Sequence, residues 1–320
     1  MEQKLAKELH AERNVLWNSS IAKHAKYIDS TTGLFDSRYV ENRTCPVCDG
    51  ASHRHLFHKE GGTYVSCEEC EMVFLNPVFK ADALNDYYQN NHEIQAQIVE
   101  MDTPFYTEIY SKGLSLISSA GVKQQKILDF GCSAGFFLDL ARRSGWSGTH
   151  GIELNRKEFQ VAVTKGHQVH NDRIENVRFT DRFDAITLWD VFEHLTDGSF
   201  FLQLFKKFLA PDGVVFLQIP NAMGLAPRLM REECNMFDGL EHVNLYGPET
   251  LKQLARRNGY DIVQMTSVIP ELNVLNNYTH YDHPYNGRMP ATNSFLGLAT
   301  GEDILQKMLG YKLQAVLKLA

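Results

Sequence analysis

Short runs of apolar and β-branched residues alternate along the chain with stretches whose apolar positions recur at helical spacing, and the alternation begins near residue 126. KILDF (126–130), GTHGIEL (148–154), HQVH (167–170), FDAITLW (183–189) and GVVFLQI (213–219) read as strands. YDIVQMTSV (260–268) and the alternating YKLQAVLKL (311–319) add two more. Most intervals between them carry helix-like patterns, and strands separated by helices need crossover connections, so an α/β fold with a mostly parallel seven-stranded sheet is predicted. Upstream the texture differs. Residues 2–26 read as a helix, with Leu5, Leu9, Val15 and Leu16 at near-helical spacing before the turn-like STTG at 30–33. Residues 80–120 are again helical, through ADALNDYYQ and PFYTEIYSKGLSLISS.

Between these helices lie four cysteines in two pairs, Cys45 with Cys48 and Cys67 with Cys70, with 18 residues between the pairs. C-x2-C repeated at this interval is the spacing of a zinc site, in which two short knuckles present four thiolates tetrahedrally. One structural zinc is therefore expected in a ribbon module, closed by the strand and Pro turn of MVFLNP. His53, His55 and His58 are expected in the loop between the pairs, as solvated residues rather than ligands of a second metal. Cys132 and Cys234 stand alone and read as core packing.

The most informative stretch is KILDFGCSAGFFLDLARRSG (126–145), a strand, a glycine-containing turn and a helix. Gly131 lets the chain turn without a Cβ, Gly135 allows close packing or ligand approach, and the N–H groups of the new helix can face a polar or anionic group. Glu153 follows 18 residues after Gly135, close to the offset at which an acid meets ribose hydroxyls, so a nucleoside cofactor is implied. The loop lacks the G-x-G-x-x-G arrangement that holds a dinucleotide's pyrophosphate. Asp129 just before it would repel phosphate and suits an ammonium group.

With LDFGCSAG as the first cofactor motif, the chain resembles the class I S-adenosylmethionine (SAM)-dependent methyltransferases, whose fold is a Rossmann-like, doubly wound sheet. The resemblance covers residues 105–268, through FDAITLWDVFEHL (183–195), LAPDGVVFLQIPN (209–221) and EHVNLYGPETLKQLARRNGY (241–260). It implies that Asp129, Gly131 and Gly135 surround the methionine part of SAM, that Glu153 takes the ribose hydroxyls, and that the loop from Asp172 to Glu175 borders the adenine. It extends the cofactor-binding set to Ser133, Phe136, Leu154, Trp189 and Asp190. Where the family commonly has glycine this chain has Ser133, which requires an unstrained turn there or a slightly reshaped loop. Together with the upstream ribbon, the whole is most similar to zinc-ribbon-bearing methyltransferases that act on nucleotide-linked sugars or surface-glycan precursors.

A hydroxyl or enolisable carbon must lose a proton before it accepts a methyl group, and histidine suits that task at neutral pH. Two histidines lie in loops at the carboxyl ends of strands, where open α/β sheets bind ligands. His242 is expected to act as general base and His194 to orient the acceptor or share the proton, with Glu241 or Glu193 able to orient the neighbouring imidazole. The aromatic, polar segment 270–310 is placed as a lid would be, with Tyr278, Tyr281, His283 and Arg288 as candidate substrate contacts. The expected organisation is a helical brace at 1–42, a zinc ribbon at 43–79, a SAM-binding domain at 80–269, and a lid-like insertion with the last strand at 270–320.

Composition narrows the partners. Of 320 residues 43% are hydrophobic and 22% charged, with a net charge of −7, an ordinary globular balance. No apolar run approaches the roughly 18 residues of a membrane span. The ribbon carries Arg43, Arg54 and Lys59 against Asp49, Glu60, Glu68, Glu69 and Glu71, which disfavours nucleic acid and a purely binding role for the module. The N-terminus is charged from its second residue and has no apolar core of a secretory leader, so a cytoplasmic location is expected. The partner implied is a small molecule or sugar nucleotide, and no feature fixes an oligomeric state. A small aromatic or quinone-like hydroxyl is the alternative acceptor, which would call for an apolar pocket.

Overall fold

The computed structural model describes residues 22–89, 103–272, 294–295 and 299–320. The expected N-terminal helix lies almost wholly outside them, as do Tyr278, Tyr281, His283 and Arg288. In chain order the strands of the first part are β1 (Val40–Glu41), β2 (His53–Lys59), β3 (Gly62–Cys67), β4 (Val73–Leu75) and β5 (Val78–Phe79), followed by helices α1 (Ala81–Gln89) and α2 (Thr103–Ser119). Then come β6 (Lys126–Phe130), α3 (Phe136–Arg143), β7 (Gly148–Ile152), α4 (Arg156–Thr164), β8 (Gln168–His170), β9 (Phe183–Trp189), α5 (Gly198–Phe205) and β10 (Leu209–Pro220). The chain continues through α6 (Leu225–Met230), β11 (Asn244–Leu245), α7 (Pro248–Arg257), β12 (Tyr260–Val268), β13 (Ser294–Phe295), β14 (Ala299–Thr300), α8 (Gly301–Gln306) and β15 (Lys312–Leu319).

Seven strands form the central sheet in the order β12-β15-β10-β9-β6-β7-β8. The pairs β10–β9, β9–β6, β6–β7 and β7–β8 are parallel, and β15 runs antiparallel to both β10 and β12. The predicted α/β sheet, Rossmann-like and mostly parallel, is thus present. The strand order reverses between β6 and β9, the switch point at which such sheets open a ligand crevice. All seven residues of β9 are buried, as expected for a central strand covered on both faces. Alternate residues serve the two sides. Ala185 and Trp189 join Ile109, Leu114 and Ile117 of α2, whereas Ile186 and Leu188 join Leu202 and Phe205 of α5 and Leu251 and Leu254 of α7.

The cysteine-bearing segment folds as a four-stranded antiparallel sheet in the order β11-β4-β3-β2. Its edge strand β11 comes from far along the chain, with Asn244 opposite Phe74 and Leu245 opposite Val73. Cys45, Val47, Val65, Cys67, Met72 and Phe74 share one apolar cluster with Leu128, Ile186 and Tyr246, so the ribbon's interior is continuous with one face of the large sheet. His53, His55 and His58 lie on strand β2, not in a loop. The run HRHLFHK is compatible with an exposed edge strand, and all three histidines are exposed on it. Among the described residues no helix is long and apolar enough to cross a membrane.

Candidate active site

The cofactor end of the crevice is built by the β6–α3 turn. Gly131, Ser133 and Gly135 all have positive φ, at 81°, 47° and 78°. A Cβ on Gly135 would stand 2.9 Å from His167 Cδ2 and 3.2 Å from Ala162 Cβ, so close packing against α4 requires glycine there, besides the backbone conformation. Ser133 adopts the left-handed conformation that glycine would occupy freely, rather than an unstrained turn. Its N–H is held by Glu153 Oε2 at 2.7 Å, and the other Glu153 oxygen accepts from Asn155 N at 2.7 Å. The N–H groups of Gly131 and Cys132 both donate to Ile152 O, tying the turn to the end of β7.

Asp129, 2% exposed, sits opposite Thr187 in the sheet and accepts a hydrogen bond from its hydroxyl at 2.7 Å. Burial pushes Asp129 up to about 7, with the charge of Glu153 adding to the shift and the Thr187 bond opposing it. Burial likewise pushes Glu153 up to about 7 against its backbone N–H bonds. Among the described residues neither carboxyl is salt-bridged to a cationic side chain. The crevice is therefore short of positive charge where a ligand ammonium would supply it, and the donor set fits the cofactor expected there. Phe136 is half-buried against Tyr110, and Leu154 and Asp172 are exposed, with Asp172 accepting from Arg173 N and Asn176 Nδ2. The Trp189 ring is buried against Tyr110, Phe137 and Phe216, and its Nε1 has no partner.

A second cluster assembles loops that are distant in sequence. The imidazoles of His194 and His242 are edge to face with centroids 4.8 Å apart, and ligating atoms of Glu193, His194 and His242 all lie within 4.8 Å of one another. His242 Nδ1 is 2.8 Å from Met236 O and 3.5 Å from Asp238 Oδ2. A carbonyl only accepts, so Nδ1 carries the hydrogen and Nε2 is left as a proton acceptor. Asp238 is fixed in turn by the N–H groups of Leu240, Glu241 and His242. Burial alone would lower the His242 pKa, but Asp238, Glu193 and the Met236 bond together raise it above the ordinary histidine value. Burial and the neighbouring His242 push His194 down to about 4, so that ring is neutral at pH 7.

Glu193 is fully buried, yet among the described residues neither of its oxygens has a hydrogen-bond partner. Burial and the charge of Asp190 push it up to about 8. Asp190, with φ 55°, accepts from Gln218 Nε2 at 3.0 Å and from Lys312 Nζ at 2.5 Å through one oxygen, while the other is buried and unpartnered. Glu241 accepts from Tyr87 OH at 2.5 Å. Buried acids without partners are rare in a finished core, and they mark surfaces that a polar ligand completes.

A family model described as a methyltransferase domain matches residues 104–265, half of the chain. The chain belongs to the methyltransferase domain family. Curated relatives of this methyltransferase include ubiquinone biosynthesis O-methyltransferases of Haemophilus ducreyi, 28% identical over 113 residues, and of Actinobacillus pleuropneumoniae, 30% identical over 115 residues. Each match covers 32% of this chain and 48% of the relative, so the chain spans about half the length of the curated relatives it matches. A crystal structure of an S-adenosylmethionine-dependent methyltransferase from Clostridium acetobutylicum is similar with a TM-score of 0.47 and 12% identity, covering 70% of this chain and 97% of that one.

Beside its active site the methyltransferase brings the four predicted thiols together, with Cys45 Sγ 3.5 Å from Cys70 Sγ and Cys48 Sγ 3.4 Å from Cys67 Sγ. Metal–sulfur bonds of about 2.3 Å at tetrahedral angles need separations only slightly larger, so the quartet fits a closed four-coordinate ion. Cys132 and Cys234 are both buried, as core residues. Four contributors escaped the sequence reading. Arg43 and Lys312 take their place from contacts across the fold, Asn244 lies inside the 241–260 segment but gains its partners from the loop after β9 and from Arg43, and Asp238 acts within its own turn.

Proposed function

We propose that this methyltransferase transfers a methyl group to a hydroxyl, or to an enolisable carbon, of a sugar or surface-glycan precursor, with His242 as general base. The observation that carries the reading is the pairing of His242, whose Nδ1–H is tied to Met236 O, with the buried and partnerless carboxyl of Glu193. Nε2 takes the acceptor's proton. His194, neutral, orients the acceptor, and the free oxygens of Glu193 and Asp190 receive further hydroxyl groups. A crevice lined by Asp190, Glu193 and two imidazoles suits a polyhydroxylated acceptor better than a flat apolar one.

Asp129, Gly131, Ser133, Gly135 and Phe136 are the residues that would hold the methionine part of SAM, with Glu153 and Leu154 toward the ribose, Asp172 toward the adenine, and Trp189 and Asp190 beside the sulfonium. Bound there, SAM supplies an electrophilic methyl group, and the chain's part is to hold the acceptor within about 3–3.5 Å and to remove its proton. Cys45, Cys48, Cys67 and Cys70 hold one structural zinc that takes no part in the chemistry.

The second reading, an aromatic or quinone-like hydroxyl acceptor, is supported by the names of the curated O-methyltransferase relatives. A panel of nucleotide sugars and catechol-type compounds, incubated with labelled SAM and analysed by mass spectrometry, separates the two. With the acceptor so found, His242→Asn is expected to lower kcat by roughly 10²–10⁴ while SAM affinity stays nearly intact. The wild-type rate should rise with pH through one ionisation, and that limb should vanish in the variant. Retention of more than about a tenth of the activity would place the base elsewhere.

A further inference from the structure

We propose that Arg43 is a positioning residue for methyl transfer, reaching out of the ribbon to clamp together the two loops that carry His194 and His242. The proposal rests on the assignment of acceptor chemistry to those two histidines.

The Arg43 guanidinium donates from Nε to Leu75 O at 3.1 Å, from one terminal nitrogen to Thr196 O at 3.1 Å, and from the other to Val243 O at 2.7 Å and Asn244 Oδ1 at 2.9 Å. Its backbone is anchored as well, with Arg43 N donating to Asn76 Oδ1 and Asn76 Nδ2 to Arg43 O. Asn244 completes the clamp by donating from Nδ2 to Leu195 O at 2.7 Å. Leu195 and Thr196 are the two residues after His194, and Val243 and Asn244 are the two after His242. One planar fork and one amide therefore fix both loops immediately beyond their imidazoles. The register of β11 on β4 and the bond from Tyr64 OH to His242 O tie the second loop to the same ribbon sheet.

The choice of arginine argues for geometry rather than mere cohesion. Every side-chain acceptor is a neutral oxygen, and among the described residues no carboxylate is paired with the cation. Holding a half-buried cation on carbonyls alone is unfavourable compared with an apolar contact of the same size. What arginine gives in return is a rigid fork that bonds several acceptors at fixed angles, which lysine lacks.

The test uses the whole 320-residue chain purified with zinc in the buffer, carrying Arg43→Met, Arg43→Lys or Asn244→Ala, with histidine ring carbons labelled for NMR. The groups facing His242 are Asp238 and Glu241 on its own segment and Glu193 and His194 on the loop after β9, with Tyr87 of α1 reaching Glu241 and Lys312 of β15 reaching Asp190. Arg43→Lys keeps a positive charge while losing the fork, so a moved titration in that variant reports displaced imidazoles rather than lost charge. In wild type the titration of His242 should perturb the His194 signal. In Arg43→Met that coupling should disappear and both midpoints should move toward the ordinary histidine value, with Arg43→Lys and Asn244→Ala between. SAM affinity by calorimetry should stay within about twofold, and turnover of the acceptor should fall about 10–100-fold, the range for misplacement of a reacting group by around an ångström. Wild-type histidine titrations in these variants overturn the proposal, whatever happens to thermal stability, and if Arg43→Met does not fold the other two decide. His242→Asn with undiminished turnover would instead sink the base assignment and leave the NMR test of Arg43 standing.

Discussion

The two ends of the crevice are built in opposite ways. At the cofactor end Asp129, Gly131, Ser133, Gly135 and Glu153 all lie between residues 126 and 153, and a single strand–turn–helix–strand unit orients them with its own backbone N–H groups. At the acceptor end the groups come from the loop after β9, from the segment before β11, from β15 and from the ribbon. The turn's own hydrogen bonds run between residues 131 and 155, so the first end should better keep its shape if the ribbon is damaged, although Leu128 packs into the same cluster as the ribbon. The second would not, because β11 is a strand of the ribbon sheet and the chain reaches it straight after His242. Cofactor binding and acceptor chemistry should accordingly be separable by mutation.

Among changes that separate the two ends, the largest effect is expected from Cys67→Ser. Loss of one thiol should release the proposed zinc and locally unfold the ribbon, since structural metal binding is coupled to folding. Turnover should then drop by roughly a hundredfold or more, the scale of misplaced reacting groups, while calorimetric SAM affinity changes little. Metal content, limited proteolysis and calorimetry on one sample check this. A variant with full activity and no metal would detach the ribbon from the acceptor site.

Glu153→Ala probes the other end. Two backbone N–H groups lose their charged acceptor, and the proposed ribose contact goes with it. SAM affinity should fall by roughly 10–150-fold, from about 1.5–3 kcal/mol for a hydrogen bond to a charged group. The histidine titrations at the acceptor end should be unmoved. Unchanged affinity would mean that Glu153 shapes the turn and touches no cofactor.

The same contrast decides what could be read from the sequence. Residues 126–153 carry their meaning locally, because a strand period, two glycines and an acid at the right interval specify a turn geometry without help from elsewhere. The cysteine pairs are similar, as two knuckles need only meet each other. His194 and His242 could be proposed from their loops, but not their 4.8 Å approach, which depends on how β11 pairs with β4. Arg43 looked like one of a few positive charges in an acidic module. Its role appears only when carbonyls from two remote loops converge on it. The HRHLFHK run reads as a loop from sequence because polar His53, His55 and His58 break strict alternation, and the strand becomes evident only in its bulged pairing with β3, where the register shifts between His55 and Phe57.

A pH-dependent effect follows from the buried acids. Asp129 and Glu153 are both held near 7, above their values of about 4 in an unfolded chain. The folded protein therefore keeps protons that the unfolded chain has already released, and ligand-free stability should fall as pH rises from about 4 to about 7. An ammonium beside Asp129 favours the charged form, so the stabilisation by SAM should grow across the same window. Thermal unfolding with and without saturating SAM, from pH 4.5 to 8, measures both slopes. A SAM-induced shift that is flat with pH would mean that neither carboxyl faces the cofactor's positive charge.

The smallest effect expected is from Ser133→Gly. At φ 47° a non-glycine residue carries strain of about 1–2 kcal/mol, and glycine would remove it. Glycine also adds freedom to the unfolded chain, which offsets about 0.4–1 kcal/mol of the gain. The net should be a stabilisation below about 1.5 kcal/mol, from the difference of those two ranges, measurable by denaturant unfolding. The hydrogen bond from residue 133 to Glu153 uses the backbone N–H, so the substitution leaves it in place. If the turn acts through its backbone alone, SAM affinity should stay within about threefold, well under the loss from removing a hydrogen bond to a charged group. A drop of about tenfold or more would assign the Ser133 hydroxyl a contact of its own with the cofactor, and would explain why this chain tolerates a side chain in a conformation that glycine adopts without strain.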